Sequence, residues 1–379
     1  MRMIGKRVAI GSIVALALAV AATAGAATAG AAAGPASAAV SPSALSSRVV
    51  PSLAAVSWWG YAVARHPTTT DYIPAAVDRG NSSLGTVHVH RSGTGAYTVA
   101  FVGLAANGGT VHVTALGGVL RYCDVLDWGP SGGDELVDIQ CYSGAGAPAN
   151  AMFSVNFLSS GGNPGKLAYL WADQPSATNY SPAALYQFNS TGGTNTIHRS
   201  GVGTYTAVLP GLGSFKGDVQ VTAYDNTGAT CRVVSWGSAS AAQQVRVQCR
   251  GPNGTLSDQS FDLTFTQNLG LRGFASGKAA YLWASKPATI SYTPVAAYRF
   301  STSGFPSHVT RTGTGRYTVS LKGIAGHGGS AQVTAYGSGK IRCELASIAT
   351  SGATQTIGVR CYSSGGGTAD SKFTLSYAR

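Results

Sequence analysis

Charge is what this chain has least of. Only 11% of its 379 residues are Asp, Glu, Lys or Arg, and just two are glutamates, Glu135 and Glu344. That scarcity excludes a glycosidase-type acid pair written repeatedly along the chain. No Gly-x-Ser-x-Gly occurs, so there is no nucleophile elbow. No Cys-x-x-Cys occurs either, which argues against a zinc ribbon. No stretch carries apolar residues at helical spacing over a useful length, which excludes a helix bundle. Beyond the N-terminal region no apolar run is long enough to span a bilayer.

Glycine, by contrast, is plentiful at 51 residues, and six cysteines are present. The cysteines fall in pairs 18 positions apart, at Cys123 and Cys141, Cys231 and Cys249, and Cys343 and Cys361. Each pair follows a Val-Thr-Ala segment, at residues 113–115, 221–223 and 333–335. An internal repeat explains this spacing. It begins at Tyr61, Tyr169 and Tyr281 and runs without a gap to Phe157, Phe265 and Tyr377, with constant offsets of 108 and 112. Each copy of 97 residues is long enough for one compact domain that buries about two-thirds of its unfolded surface.

The N-terminus reads as a secretory signal peptide over residues 1–38. Arg2, Lys6 and Arg7 form a basic head, residues 8–20 an apolar run, and Ala36-Ser37-Ala38 a small-residue cleavage site. An exported chain meets an oxidising compartment. Six cysteines permit 15 pairings. The threefold spacing selects Cys123–Cys141, Cys231–Cys249 and Cys343–Cys361. No span of the membrane is expected once the signal is removed.

Residues 39–60 read as a flexible lead and residues 61–157 as the first copy. Residues 158–168 then form a linker, residues 169–265 the second copy, residues 266–280 another linker, and residues 281–377 the third copy. Each copy opens on an apolar run, Tyr-Ala-Val-Ala at 61–64 and Tyr-Leu-Trp-Ala at 169–172 and 281–284. Paired prolines flank Tyr72, Tyr180 and Tyr292 next, which forbids a helix and marks an edge or connector. Alternating β-formers then surround a Gly-x-Gly turn, as in Gly93-Thr94-Gly95. Short strands with turn signals about every ten residues predict an all-β chain: three tandem antiparallel β-sandwich domains, jelly-roll or Ig-like, each stapled by one disulfide. Gly-bearing linkers predict beads that move independently.

A group essential to every copy should recur at its offset. Asp124 becomes Arg232 and then Glu344. Asp134 and Glu135 face Ala242 and Gln243. Only Asn150, Asp258 and Asp370 recur, where a turn favours an Asx side chain. His88, His90 and His112 offer a zinc set in copy one alone. No catalytic residue, metal or cofactor is expected, and the protein is read as a non-enzyme. The recurring candidates for binding are aromatic. Tyr169 with Trp171, and Tyr281 with Trp283, are i, i+2 pairs able to form a sugar-stacking platform or to pack in a core. Trp128, Trp236 and Ile348 read as core residues beside the disulfide. Copy three carries 9 basic and 2 acidic residues against 4 and 7 in copy one, which suits an anionic partner. Arg311 and Arg316 are its candidate contacts.

The Tyr-Leu-Trp-Ala opening, the Arg-[Ser/Thr]-Gly-x-Gly-x-Tyr hairpin, the Val-Thr-Ala strand and the spaced cysteines resemble those of uncharacterised secreted proteins of actinomycete type. The resemblance covers about residues 61–377 and implies export and a β-repeat, with no activity attached. The expectation is a secreted, extracellular binding protein, free or cell-wall associated, for polysaccharide or an anionic cell-wall polymer, with no nucleic-acid partner. The alternatives are a structural or adhesion protein of the cell surface with protein partners, and an extracellular hydrolase or inhibitor.

Overall fold

The computed structural model describes residues 57–379 apart from 161–164, 275–276 and 327. The expected signal peptide and most of the expected lead lie outside the described residues. The described residues all fall in one compact unit. The chain is all-β, and each copy supplies nine strands. Copy one gives β1 (Trp58–Ala64), β2 (Asp71–Tyr72), β3 (Arg79–Asn81), β4 (Val87–Gly93), β5 (Ala96–Phe101), β6 (Thr110–Leu116), β7 (Arg121–Ser131), β8 (Asp134–Ser143) and β9 (Met152–Ser159). Copy two gives β10 (Lys166–Ala172), β11 (Asn179–Tyr180), β12 (Gln187–Asn189), β13 (Thr196–Gly201), β14 (Thr204–Leu209), β15 (Asp218–Tyr224), β16 (Thr230–Ala239), β17 (Ala242–Arg250) and β18 (Ser260–Gln267). Copy three gives β19 (Ala279–Ala284), β20 (Ser291–Tyr292), β21 (Arg299–Ser301), β22 (His308–Gly313), β23 (Arg316–Lys322), β24 (Ser330–Tyr336), β25 (Arg342–Ser351), β26 (Thr354–Tyr362) and β27 (Lys372–Ala378).

Strand boundaries correct the expected linkers at both ends. Trp58 to Gly60 belong to β1, Leu158 and Ser159 to β9, and Lys166 to Ala168 to β10. The predicted hairpin is present in all three copies, and β4 pairs with β5 across Ser92 to Gly95. Gly95 sits at φ +71°, and a Cβ there would lie 2.4 Å from the Cys141 carbonyl oxygen. Only glycine meets both conditions. The proline-flanked tyrosines form the two-residue edge strands β2, β11 and β20, each paired to the hairpin. All three disulfides join the expected partners, Cys123–Cys141, Cys231–Cys249 and Cys343–Cys361.

The expectation of independent beads is overturned by the sheet topology. Among the described residues there are three nine-stranded sheets, and each draws its strands from two copies. One runs β12-β10-β18-β15-β7-β8-β5-β4-β2, joining copies two and one. A second joins the hairpin half of copy two to β24, β27, β19 and β21 of copy three. The last joins the hairpin half of copy three to β6, β9, β1 and β3 of copy one. The order therefore closes on itself: one to two, two to three, three to one. Each junction is a single parallel pairing, Tyr224 with Val125, Tyr336 with Val233, and Leu116 with Leu345. The sheets are accordingly mixed rather than wholly antiparallel.

Each copy has a hydrophobic cluster built mainly from its own strands. In copy one Val111, Val113, Phe153, Val155 and Phe157 from one half-sheet meet Val87, Val99, Phe101, Val137 and Ile139 from the other. Side chains alternate along a strand, so the opposite face of β6 and β9 carries Thr110, His112, Thr114, Ser154 and Asn156. These are buried as well. They face the other copies, not water, and their polar groups bond across copy boundaries. His112 bonds Thr222 Oγ1 at 3.0 Å. The Thr334 hydroxyl donates to Gln220 Oε1 at 2.9 Å, and the Thr114 hydroxyl to Gln332 Oε1 at 2.6 Å. His112, Gln220 and Gln332 occupy one repeat position and Thr114, Thr222 and Thr334 another, so the three bonds form a closed cycle. Thr264 Oγ1 holds the second His112 ring nitrogen at 2.8 Å. Burial pushes the imidazole pKa down to about 3, which keeps it neutral.

The seams explain two irregularities of the repeat. Trp128 of copy one is ringed edge-to-face by Trp171, Tyr186 and Tyr224 of copy two, at 5.5–5.6 Å between centroids. Trp236 of copy two is ringed in the same way by Trp283, Tyr298 and Tyr336 of copy three. Each such ring pair adds about 0.5–1.5 kcal/mol beyond burial. At the third seam the equivalent positions hold Ile348, Val63, Asp78 and Leu116. Ile348, Val63 and Leu116 share one buried cluster, and Asp78 is held by Arg65 at 2.8 Å. Val63 and Ile348 depart from the repeat because they meet each other's seam.

Candidate binding site at the axis

Where β6, β15 and β24 leave the shared interior, the chain turns into the cysteine-bearing strands β7, β16 and β25. Residues of all three copies surround a cavity of about 80 Å³ at this place. Its lining includes Cys123, Cys231 and Cys343 together with the residue after each cysteine, Asp124, Arg232 and Glu344. These three are the position that fails the test of recurrence in the sequence. The test presumes three separate sites. In a closed ring the three equivalents line one cavity, and their different charges are complementary parts of a single site.

All three are almost wholly buried. Burial raises the Asp124 carboxyl well above the usual range, with Arg342 opposing and Asp225 reinforcing the rise. Burial likewise pushes Glu344 up to about 8, although its Oε2 accepts the Arg121 backbone N–H at 3.0 Å. The Arg232 guanidinium falls to about 10, through burial first and the neighbouring Arg250 second. Asp124 Oδ2 and Glu344 Oε1 have no hydrogen-bond partner among the described residues, and neither do Arg121 Nε and Arg250 Nε.

Arginines also clasp this end of the ring. Arg232 donates to the Ile341 carbonyl of copy three. Arg342 donates to Gly144 O of copy one at 3.3 Å and Pro252 O of copy two at 3.1 Å, and lies over the Tyr122 ring at 4.4 Å. Arg250 donates to Ser338 O at 3.2 Å, and Arg360 to Gly118 O. Part of the basic excess of copy three therefore serves the ring itself. With Arg121 and Lys340 also in the lining, five basic side chains and two carboxyls that burial biases towards the neutral form line the cavity.

The residues expected to bind lie elsewhere. Tyr169 and Tyr281 are buried beside Phe188 and Phe300, at 5.7 and 5.5 Å between ring centroids. Trp171 and Trp283 pack in the seam clusters already described. Both are half-buried, and their rings pack against aromatic rings at the joints between copies. Arg311 is held by Asp370 at 2.9 Å, and Arg199 by Asp258 at 2.7 Å. Arg91 donates to Asn150 Oδ1 at 3.1 Å. The recurring arginine and the recurring Asx thus bind each other. The Asx oxygen also accepts the turn N–H of Gly95, Gly203 or Gly315 at 2.7–2.8 Å. The arginine bonds draw Asp258 and Asp370 below the usual carboxylate range. Arg311 is consequently a turn clamp, while Arg316 is exposed on β23. His88 bonds Thr86 and His112 sits in the shared interior, so the three histidines of copy one do not converge.

No family model, curated protein or solved structure matches this chain.

Proposed function

We propose that this is an exported, non-catalytic binding protein for an anionic extracellular polymer, such as an acidic polysaccharide or an anionic cell-wall polymer. Each copy is then a two-layer β-sandwich unit whose sheets continue into its neighbours. The supporting observation is the convergence of Arg121, Arg232, Arg250, Lys340 and Arg342, from all three copies, on one cavity whose two carboxyls are biased towards the neutral form. A cleft with one sign of charge and low-dielectric walls attracts the opposite sign. The cavity of about 80 Å³ has room for a carboxylate or phosphate group. Three disulfides and the absence of a membrane-spanning helix among the described residues are compatible with an extracellular setting.

The test is retention of the mature protein on anionic cell wall, pectate, chitin and cellulose at low and high salt. The proposal expects retention on the anionic supports alone, reduced by salt and by Lys340→Glu, whose side chain is exposed at the cavity. No retention on any anionic support, or retention indifferent to Lys340→Glu, refutes it and favours a structural or adhesion role with protein partners.

A further inference from the structure

The second linker is longer than the first, since the repeat offset grows from 108 to 112. Within it Leu269 and Leu271 are buried, and between Leu271 and Gly273 stands Arg272, only 6% exposed. Its guanidinium lies over the Trp59 ring of copy one at 4.3 Å and near the Tyr61 ring at 5.1 Å. No hydrogen bond or ion pair to Arg272 occurs among the described residues, and its Nε is fully buried without a partner. Tyr61, Tyr377 and Arg379 are the titratable groups acting on it, and of these Arg379 carries like charge. Burial holds Arg272 down to about 10. Asp78, which acts on Tyr61, is already engaged by Arg65.

A largely buried guanidinium whose Nε has no acceptor, and whose protein contacts are two aromatic rings, is stabilised by a bound anion. Arg272 opens on a cavity of about 290 Å³, walled by Trp59, Phe274, Ala279 and Ala378, with Arg379 at its side. That volume is near the lower end for small-molecule pockets, and the wall is mainly apolar. A carboxylate suits the planar fork of the guanidinium, and an apolar body suits the wall.

We infer that the seam between the second linker and copy one is a binding site for a small organic carboxylate, with the carboxylate on Arg272 and the apolar body against Phe274. This inference stands apart from the axial cavity and does not rest on polymer binding there.

Calorimetry and thermal shift on the mature protein test it, with benzoate and hexanoate as probes, acetate and inorganic phosphate as small anions, and benzamide as the uncharged counterpart. The expected result is binding of benzoate or hexanoate with a raised Tm, weaker binding of acetate and phosphate, and none of benzamide. Arg272→Gln should weaken benzoate at least tenfold, and Phe274→Ala should weaken it while leaving the melting of the free protein near the parent's. Phe274 is part exposed, so that variant keeps the test valid if Arg272→Gln fails to fold. Lys340→Glu, at the axial cavity, should leave benzoate binding unchanged. Absence of binding by every carboxylate, or binding indifferent to both pocket variants, overturns the inference. Equal binding of phosphate, acetate and benzoate overturns the assignment of an organic anion.

Discussion

Trp128 belongs to copy one, yet three rings of copy two surround it. It is 3% exposed, and its indole N–H donates to Gly108 O at 2.9 Å. Trp128→Ala removes the burial, the ring contacts and that bond, for a loss of about 3–5 kcal/mol. Trp171→Ala destabilises as well. The informative quantity is the coupling between the two, measured by a double-mutant cycle in urea. Edge-to-face contact at 5.6 Å predicts about 1 kcal/mol of coupling between residues assigned to different copies. Separate domains predict simple additivity, within about 0.3–0.5 kcal/mol. An additive cycle, or two unfolding transitions of which only one responds to each variant, would refute the shared seam.

Further outcomes follow from the interior. His112 is neutral when folded, with its pKa near 3 against about 6.5 when unfolded, so the unfolded chain binds the extra proton between those values. Stability should therefore fall as pH drops below about 6.5, by about 2 kcal/mol at pH 5, and level off near pH 3. His112→Gln, the residue found at the equivalent places 220 and 332, should remove that part of the acid sensitivity while a melting curve at neutral pH changes little; an unchanged acid slope would contradict the assignment. Replacing Cys231 and Cys249 by Ala opens an 18-position loop and should cost about 3 kcal/mol, read from the denaturation midpoint. Gly95→Ala must adopt a positive φ with its Cβ against the Cys141 carbonyl, so a Tm drop of several degrees is expected; an unchanged Tm would show that the turn relaxes.

The repeat, the cystine pairing, the hairpins and the edge tyrosines were legible in the sequence because each is local or set by spacing. Sheet continuation was not. Each junction is a single parallel pair such as Leu116 with Leu345, and one pair leaves no periodic mark. The alternation of Val111-His112-Val113-Thr114 reads as a half-buried strand, since a polar face ordinarily meets water. In the ring that face meets two other copies, so its Thr, Gln and His side chains bond one another. A signal did exist for the third seam. Val63 and Ile348 depart from their aromatic equivalents together, and the loss of a large ring on both sides of one joint is what a shared interface requires. Asp124, Arg232 and Glu344 differ between copies, and difference is what a single asymmetric site needs. Arg272 lies in the linker, outside the repeat register, where no comparison among copies reaches it.

Closure between copies three and one carries the whole arrangement, because no covalent link enforces it. Methyl-labelled NOE spectroscopy on the mature chain measures it directly at Leu116 and Leu345. A cross-peak between their methyl groups, 229 positions apart in sequence, is the predicted result. Its absence, alongside intact cross-peaks within each copy, would contradict the closed ring.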